Sequence, residues 1–144
     1  MRPRIRISPS IAALAFTVLA SSPVSAQDRL FERTVDLQPT GTLRIDGNKG
    51  SITVSSWDSP QVEVRARVEL PEGVPAGYAQ QTVNATEIEI ITGSGSVSVQ
   101  TNYDRVPSRS GRSGDGERTI PPVHYEIRAP RRIDLQVDSD RGPA

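Results

Sequence analysis

Eight short runs of alternating apolar and polar residues constrain this chain more than any other feature. They contain Phe31, Val35 and Leu37, then residues 43–45, 52–54, 62–68, 88–90, 97–99, 123–127 and 133–137. Successive side chains of a strand point to opposite faces, so each run offers one apolar and one polar face. Most of the apolar positions are β-branched, as strands favour. Eight such runs predict an all-β domain. Asp46-Gly47-Asn48-Lys49-Gly50 separates two runs with residues that tolerate positive φ. Gly93-Ser94-Gly95-Ser96 reads as a hairpin turn. Trp57-Asp58-Ser59-Pro60 and Ala129-Pro130-Arg131-Arg132 turn the chain elsewhere. Residues 71–82 break the alternation, and the spacing of Ala79 and Val83 predicts a short helix over 76–84, weakened by Gly77.

The first 26 residues are expected to leave before folding. Arg2, Arg4 and Arg6 precede an apolar stretch of ten residues, 11–20, and then a small-residue segment with Val24 and Ala26 at the positions a signal peptidase reads. Ten apolar residues are too few to span roughly 30 Å of hydrocarbon. Cleavage between Ala26 and Gln27 takes three arginines and no acids from a chain with 17 of each charge. The mature chain, 27–144, then has 118 residues and a formal charge of −3. No later segment is apolar enough to anchor it in a membrane. Arginine outnumbers lysine 16 to 1, a bias of GC-rich bacterial genomes, so the periplasm or the outside is the expected location. The chain has no cysteine. That excludes a disulfide scaffold, a thiolate metal site, a cysteine nucleophile and a lipid-modified cysteine. The charge balance gives no reason to expect nucleic-acid binding.

The chemistry-bearing residues are sparse. His124 is the single histidine. It alternates with Val123 and Tyr125, on the polar face of its run. One histidine cannot build a histidine-rich zinc site, and no G-x-S-x-G elbow supports a serine nucleophile. Glu63, Glu69, Glu87, Glu89, Glu126 and Asp134 lie beside arginines, as cross-strand charge pairs do. Asp46, Asn48 and Gly50 match the start of a calcium loop, but the later ligands are missing and Lys49 intrudes. Neither a cofactor nor a metal is implied. Residues 101–122 are rich in Ser, Gly and Arg and lack periodicity, so a flexible polar loop is expected there. Its Tyr103, Arg105, Arg109, Arg112 and Arg118 form the candidate contact loop. Trp57 is the candidate buried anchor.

In order and spacing, these pieces resemble a known family. Gly41-Thr42-Leu43-Arg44-Ile45-Asp46-Gly47-Asn48-Lys49-Gly50-Ser51-Ile52-Thr53-Val54 is similar to a pattern G-x-L-x-I-x-G-x-x-G-x-I-x-V. Trp57-Asp58 and Val62-Glu63-Val64 follow it, and 123–130 and 135–137 resemble V-x-Y-x-I-x-x-P and L-x-V segments. The resemblance is to exported bacterial β-repeat domains labelled adhesins, a family of largely unknown function. It implies an all-β fold of short strands stacking toward a β-solenoid, no enzyme activity and no catalytic residues. In that family, further strands follow a segment like Asp138-Ser139-Asp140-Arg141-Gly142. The chain is therefore expected to lack C-terminal repeats, leaving the 133–137 strand as an unpaired edge.

The resulting expectation is an exported, non-enzymatic β domain of the cell envelope that binds protein or polysaccharide through its surface. A self-assembling structural element is the alternative, and a carbohydrate-active enzyme using a carboxylate pair is the weakest reading.

Overall fold

The computed structural model describes residues 26–109 and 117–139. Residues 1–25 of the predicted leader, Arg112 and the last five residues lie outside the described residues. All eight predicted strands are present, together with two very short ones and the helix. The elements are β1 (Arg29–Asp36), β2 (Thr42–Gly47), β3 (Ile52–Trp57), β4 (Gln61–Val68), α1 (Ala76–Ala85), β5 (Glu87–Gly93), β6 (Ser96–Asn102), β7 (Ser108–Arg109), β8 (Glu117–Arg118), β9 (Val123–Pro130) and β10 (Asp134–Ser139).

Alternation decides which way each strand faces, and pairing sorts the strands into two four-stranded sheets. Sheet A has the order β1-β4-β9-β3, and sheet B the order β10-β2-β6-β5. Both sheets are mixed. In sheet A, β4 pairs antiparallel with β1 and β9, whereas β3 pairs parallel with β9. In sheet B, β10, β2 and β6 run parallel, and β5 closes an antiparallel hairpin with β6. The inward faces meet in one core. Sheet A supplies Val62, Val64, Val68, Tyr125 and Ile127; sheet B supplies Leu43, Ile45, Val97 and Val99. Neither sheet closes on itself.

Three short connections carry the chain from one sheet to the other: residues 37–41 lead from β1 to β2, and two shorter arches follow. Residues 48–51 lead from β2 to β3, and residues 131–133 lead from β9 to β10. The Gly47–Gly50 turn is therefore an arch between sheets and not a hairpin. The start of β9 locks onto this arch. The Val123 amide donates to the Lys49 carbonyl at 2.7 Å, and the Tyr125 amide to the Ser51 carbonyl at 2.8 Å. At the opposite end, the Thr40 amide donates to the Arg132 carbonyl at 2.6 Å, and the Asp134 amide to Gly41 at 2.9 Å.

Helix α1 closes the side of the core beside β1 and β5. Ala79, Thr82 and Val83 are its buried residues. The two buried hydroxyls in this region are satisfied within the helix: Thr82 Oγ1 donates to the Ala79 carbonyl at 2.7 Å and Thr86 Oγ1 to the Thr82 carbonyl at 2.8 Å. Arg29 of β1 donates to the carbonyls of Asn84 and Thr86, satisfying the helix's last turn with a cation.

The described parts of the predicted 101–122 loop, 101–109 and 117–122, contain regular structure. Thr101 and Asn102 complete β6, Val106 is buried, and β7 pairs antiparallel with β8. Ser, Gly and Arg dominate the composition and mask one aliphatic residue that anchors the segment. The Val106 amide donates to the Tyr103 carbonyl at 2.9 Å, a tight turn that tucks the side chain inward.

Glycine is required at the β2–β3 arch. Gly50 has φ +123°, and a Cβ there would stand 2.1 Å from the Val123 carbonyl oxygen. Gly73 also has positive φ, +75°, but faces open space. Gly73→Ala is therefore expected to cost about 1 kcal/mol, through backbone strain alone. Gly50→Ala is expected to cost about 3 kcal/mol or more, because it also pushes β9 away from the arch. Urea midpoints of the two variants separate the contributions; equal losses would show that the close approach carries no weight.

Candidate functional site

The outer face of sheet A concentrates the polar chemistry. In β4 and β9, the apolar residues face the core, so Glu63, Arg65 and Arg67 face outward beside His124, Glu126 and Arg128. The register sets Arg67 opposite His124, Arg65 opposite Glu126 and Glu63 opposite Arg128. Glu32 of β1 lies opposite Arg65, and Thr53 and Ser55 of β3 lie beside Glu126 and Arg128. The face alternates in charge along and across the strands. Arg65 contacts Glu63 at 2.9 Å and Glu32 at 3.6 Å.

Two adjoining depressions occupy this face. The larger, about 390 Å³, is lined by Leu30, Glu32, Ser51, Thr53, Arg65, Arg67, His124 and Glu126 among others. The smaller, about 170 Å³, continues past Ser55, Glu63 and Arg128. Thr53, Arg65 and Glu126 line both, so the two form one shallow groove.

A line of polar contacts crosses the sheet at one end of this groove. Arg67 reaches Asp28 at 2.9 Å and Glu69 at 3.4 Å. Glu69 Oε2 lies 2.7 Å from His124 Nε2, and His124 Nδ1 lies 2.9 Å from Ser51 Oγ. The Ser51 amide also donates to Nδ1, at 3.2 Å. Nδ1 therefore acts as an acceptor, which places the ring proton on Nε2, facing Glu69. Serine, histidine and glutamate stand here in the order of a nucleophilic triad. In such a triad, the base nitrogen serves the hydroxyl. Here Nδ1 is shared with the backbone amide of the same serine, which ties the ring to the start of β3. The arrangement laces β3, β9 and the end of β4 together. Alternation placed His124 on the polar face, but its partners come from residues 51 and 69, a separation that no local pattern reveals.

Asp28 anchors the far end of this line. The Leu70 amide donates to its Oδ1 at 2.9 Å, and this hydrogen bond, helped by Arg67, holds its carboxyl below the usual carboxylate range. On sheet B, Asn102 and Gln100 donate to Glu89 and lower its pKa in the same way.

The residues singled out in the sequence land in different places. Trp57 is half-buried at the end of β3 and stands outside the core cluster. The parity of the strand explains this: Ile52 and Val54 face inward, so residue 57 faces out. Its indole Nε1 donates to the Gln61 carbonyl at 2.7 Å, and the Arg128 guanidinium lies 5.9 Å from the ring centre. Tyr103 packs against the core; burial pushes its hydroxyl up to about 12. Arg105 pairs with Glu87 at 2.7 Å, and Arg109 lies over the Tyr78 ring at 5.6 Å. Arg118 is exposed on β8. The structure thus gives Arg105 and Arg109 separate partners, and Arg112 lies outside the described residues. Ala26 and Gln27, the predicted cleavage pair, are described, and the Gln27 amide donates to Gln80 Oε1 at 2.8 Å.

Among the described residues, no three His, Asp or Glu side chains cluster as a metal site, and no helix is long and apolar enough to cross a membrane. Protein-family models, curated proteins and solved structures provide no match to this chain.

Asp28→Asn tests the anchor. Because the folded pKa is depressed, the carboxylate stabilises the protein above its ordinary value of 3.8, and this contribution is lost as pH falls through the folded value. The side chain is partly solvated, so the expected loss at neutral pH is about 1 kcal/mol. The gap to the parent protein should close in acid. Denaturation curves at neutral and acid pH measure it, and a gap independent of pH would refute the electrostatic account.

Proposed function

We propose that the chain is an exported, non-enzymatic β domain of the cell envelope, acting in the periplasm or outside the cell, that binds a polysaccharide along the outer face of sheet A. The observation that carries this reading is the groove shared by Thr53, Arg65 and Glu126. Its rim alternates guanidinium, carboxylate and hydroxyl groups across the strands. Sugar hydroxyls both donate and accept, so a face of mixed donors and acceptors suits them. Glu32, Glu63 and Glu126 balance Arg65, Arg67 and Arg128 in formal charge. A balanced face favours an uncharged chain over a polyanion. The strong leader pattern supports export, and the resemblance to adhesin-labelled domains supports an envelope role. The parallel ladders and the two sheet-to-sheet arches support a solenoid-like stacking of strands as the finer architecture.

A second reading, self-association, rests on a separate observation. Leu135 and Val137 are 43% and 46% exposed, although their register partners Leu43 and Ile45 are fully buried. The apolar face of β10 is thus open.

Binding along sheet A is tested by combining Arg65→Ala with Glu126→Ala and measuring co-sedimentation with insoluble envelope polysaccharide. Affinity should fall at least roughly tenfold, the loss expected from removing one hydrogen bond to a charged group at about 1.5 kcal/mol or more. Arg44→Ala, on the outer face of sheet B, should bind as the parent does. Retained binding in the double variant would move the contact elsewhere, and capture of an envelope protein instead of glycan would replace the ligand class.

A further inference from the structure

The two ends of the stacked sheets are built differently. Beside β1 and β5, helix α1 and Arg29 close the core. At the other end, β3 is the edge of sheet A and β10 the edge of sheet B. They lie together because β3 follows an arch from β2, the neighbour of β10, and β10 follows an arch from β9, the neighbour of β3. Ile52, Val54 and Ile133 pack partly against the core there, and Leu135 and Val137 are open. Among the described residues, no strand pairs with the outer edge of either strand.

We infer that this end is a self-complementary interface, in which a second copy related by a two-fold axis pairs its β10 with β3 and its β3 with β10. The inference rests on the self-association reading and specifies its geometry. β10 runs parallel to β2, and the arch reverses the chain between β2 and β3, so β3 and β10 run in opposite directions. A two-fold axis parallel to the strands and between the sheets leaves those directions unchanged. It sets β3 antiparallel to β10 of the partner subunit, twice. Each sheet would then continue into the other sheet of the partner, with apolar faces inward on both sides.

Register favours this pairing over β10 against β10. Opposite residues must share a face, so the parity of the register is fixed. For β3 against β10, the register that overlaps all six residues of both strands satisfies that parity. It sets Val54 opposite Val137 of the partner subunit, Thr53 opposite Asp138 of the partner subunit and Ser55 opposite Gln136 of the partner subunit. Hydroxyls meet a carboxylate and an amide, and no like charges meet. For β10 against itself, full overlap would place apolar residues opposite polar ones. Two registers of five residues remain, each one pair shorter than β3 against β10; one sets Gln136 opposite Asp138 of the partner subunit twice, and the other sets Asp134 opposite Asp138 of the partner subunit twice. Like charges directly opposite destabilise a strand pair. The contact is isologous, so it stops at two copies.

Sedimentation equilibrium of the purified chain over a wide concentration range tests this, with Thr53→Lys, Asp138→Lys and Val137→Lys. The parent should show a monomer–dimer equilibrium. Thr53→Lys should tighten it roughly 2- to 30-fold, the range set by two new opposite-charge pairs at about 0.2–1 kcal/mol each. Asp138→Lys should not tighten it. Val137→Lys should abolish the dimer while leaving the thermal midpoint of the monomer nearly unchanged, because Val137 is already half exposed. A monomer at every concentration, or a dimer indifferent to Val137→Lys, would overturn the interface and the self-association reading together. A dimer that Val137→Lys abolishes but Thr53→Lys fails to tighten, or Asp138→Lys tightens, would overturn the β3–β10 pairing and leave that reading standing. Growth beyond two copies would overturn the two-fold geometry alone.

Discussion

The structure depends on the insertion of β9 between β3 and β4. β3 and β4 are neighbours in sequence, joined by a short turn, and could have paired directly. Instead β9, some seventy residues later, pairs with β3 in parallel and with β4 antiparallel. Its alternate residues serve two purposes. Tyr125 and Ile127 fill the core between the sheets, while His124, Glu126 and Arg128 build the outer face. The parallel pairing also requires the arch at Gly50, because β9 begins where that arch brings its carbonyls forward. Removing β9 would leave sheet A as β1-β4 plus an isolated β3, without a continuous face inside or out.

The polar line across sheet A follows from the same insertion. β9 carries His124 to a position between Ser51 and Glu69, and β4 carries Arg67 to a position between Glu69 and Asp28. Each contact is partly solvated, and exposed ion pairs contribute about 0–1 kcal/mol. Their effect lies in orientation. A ring held at both nitrogens and a guanidinium held by two carboxylates have few alternative rotamers. Ordered side chains on a flat face form a fixed pattern of donors and acceptors, and a ligand meeting that pattern orders less on binding.

Much of this fold is legible from alternation, and the limits of legibility are physical. The runs fix where strands lie and which residues face inward, since that information is local. The Gly93–Ser96 hairpin is equally local, because its turn residues and flanking strands are contiguous. The Asp46–Gly50 turn is not, since its residues suit a hairpin and an inter-sheet arch alike. What decides between them is β9, which lies far along the chain. The same reasoning explains the site. Parity puts Glu63, Arg65, Arg67, His124, Glu126 and Arg128 on polar faces, and it moves Trp57 out of the core. Only the register between distant strands says that Arg65 meets Glu126, or that Ser51 meets His124. In residues 101–122, composition points to a loop because one buried valine among many polar residues gives no period.

The asymmetry of the two ends links the fold to its surroundings. A stack of short strands buries apolar area only between neighbours, so each terminal strand needs a cap or a partner. The first end uses a helix, whose buried residues are small and whose last carbonyls are taken by Arg29. At the other end, inward positions of β10 continue the ladder of Leu43 and Ile45 in register, so its apolar side chains are placed by the core pattern itself. An edge meant to face water would carry charges at inward positions or a proline in the strand. β10 has charges only on its outer face, at Asp134 and Asp138. That arrangement keeps the outer surface soluble while leaving the inward row apolar. It also lets β10 pair along all six residues with β3, whose outward residues are uncharged, but along only five with itself. The parity of the two strands thus favours the mixed pair, and the inward row supplies the driving force.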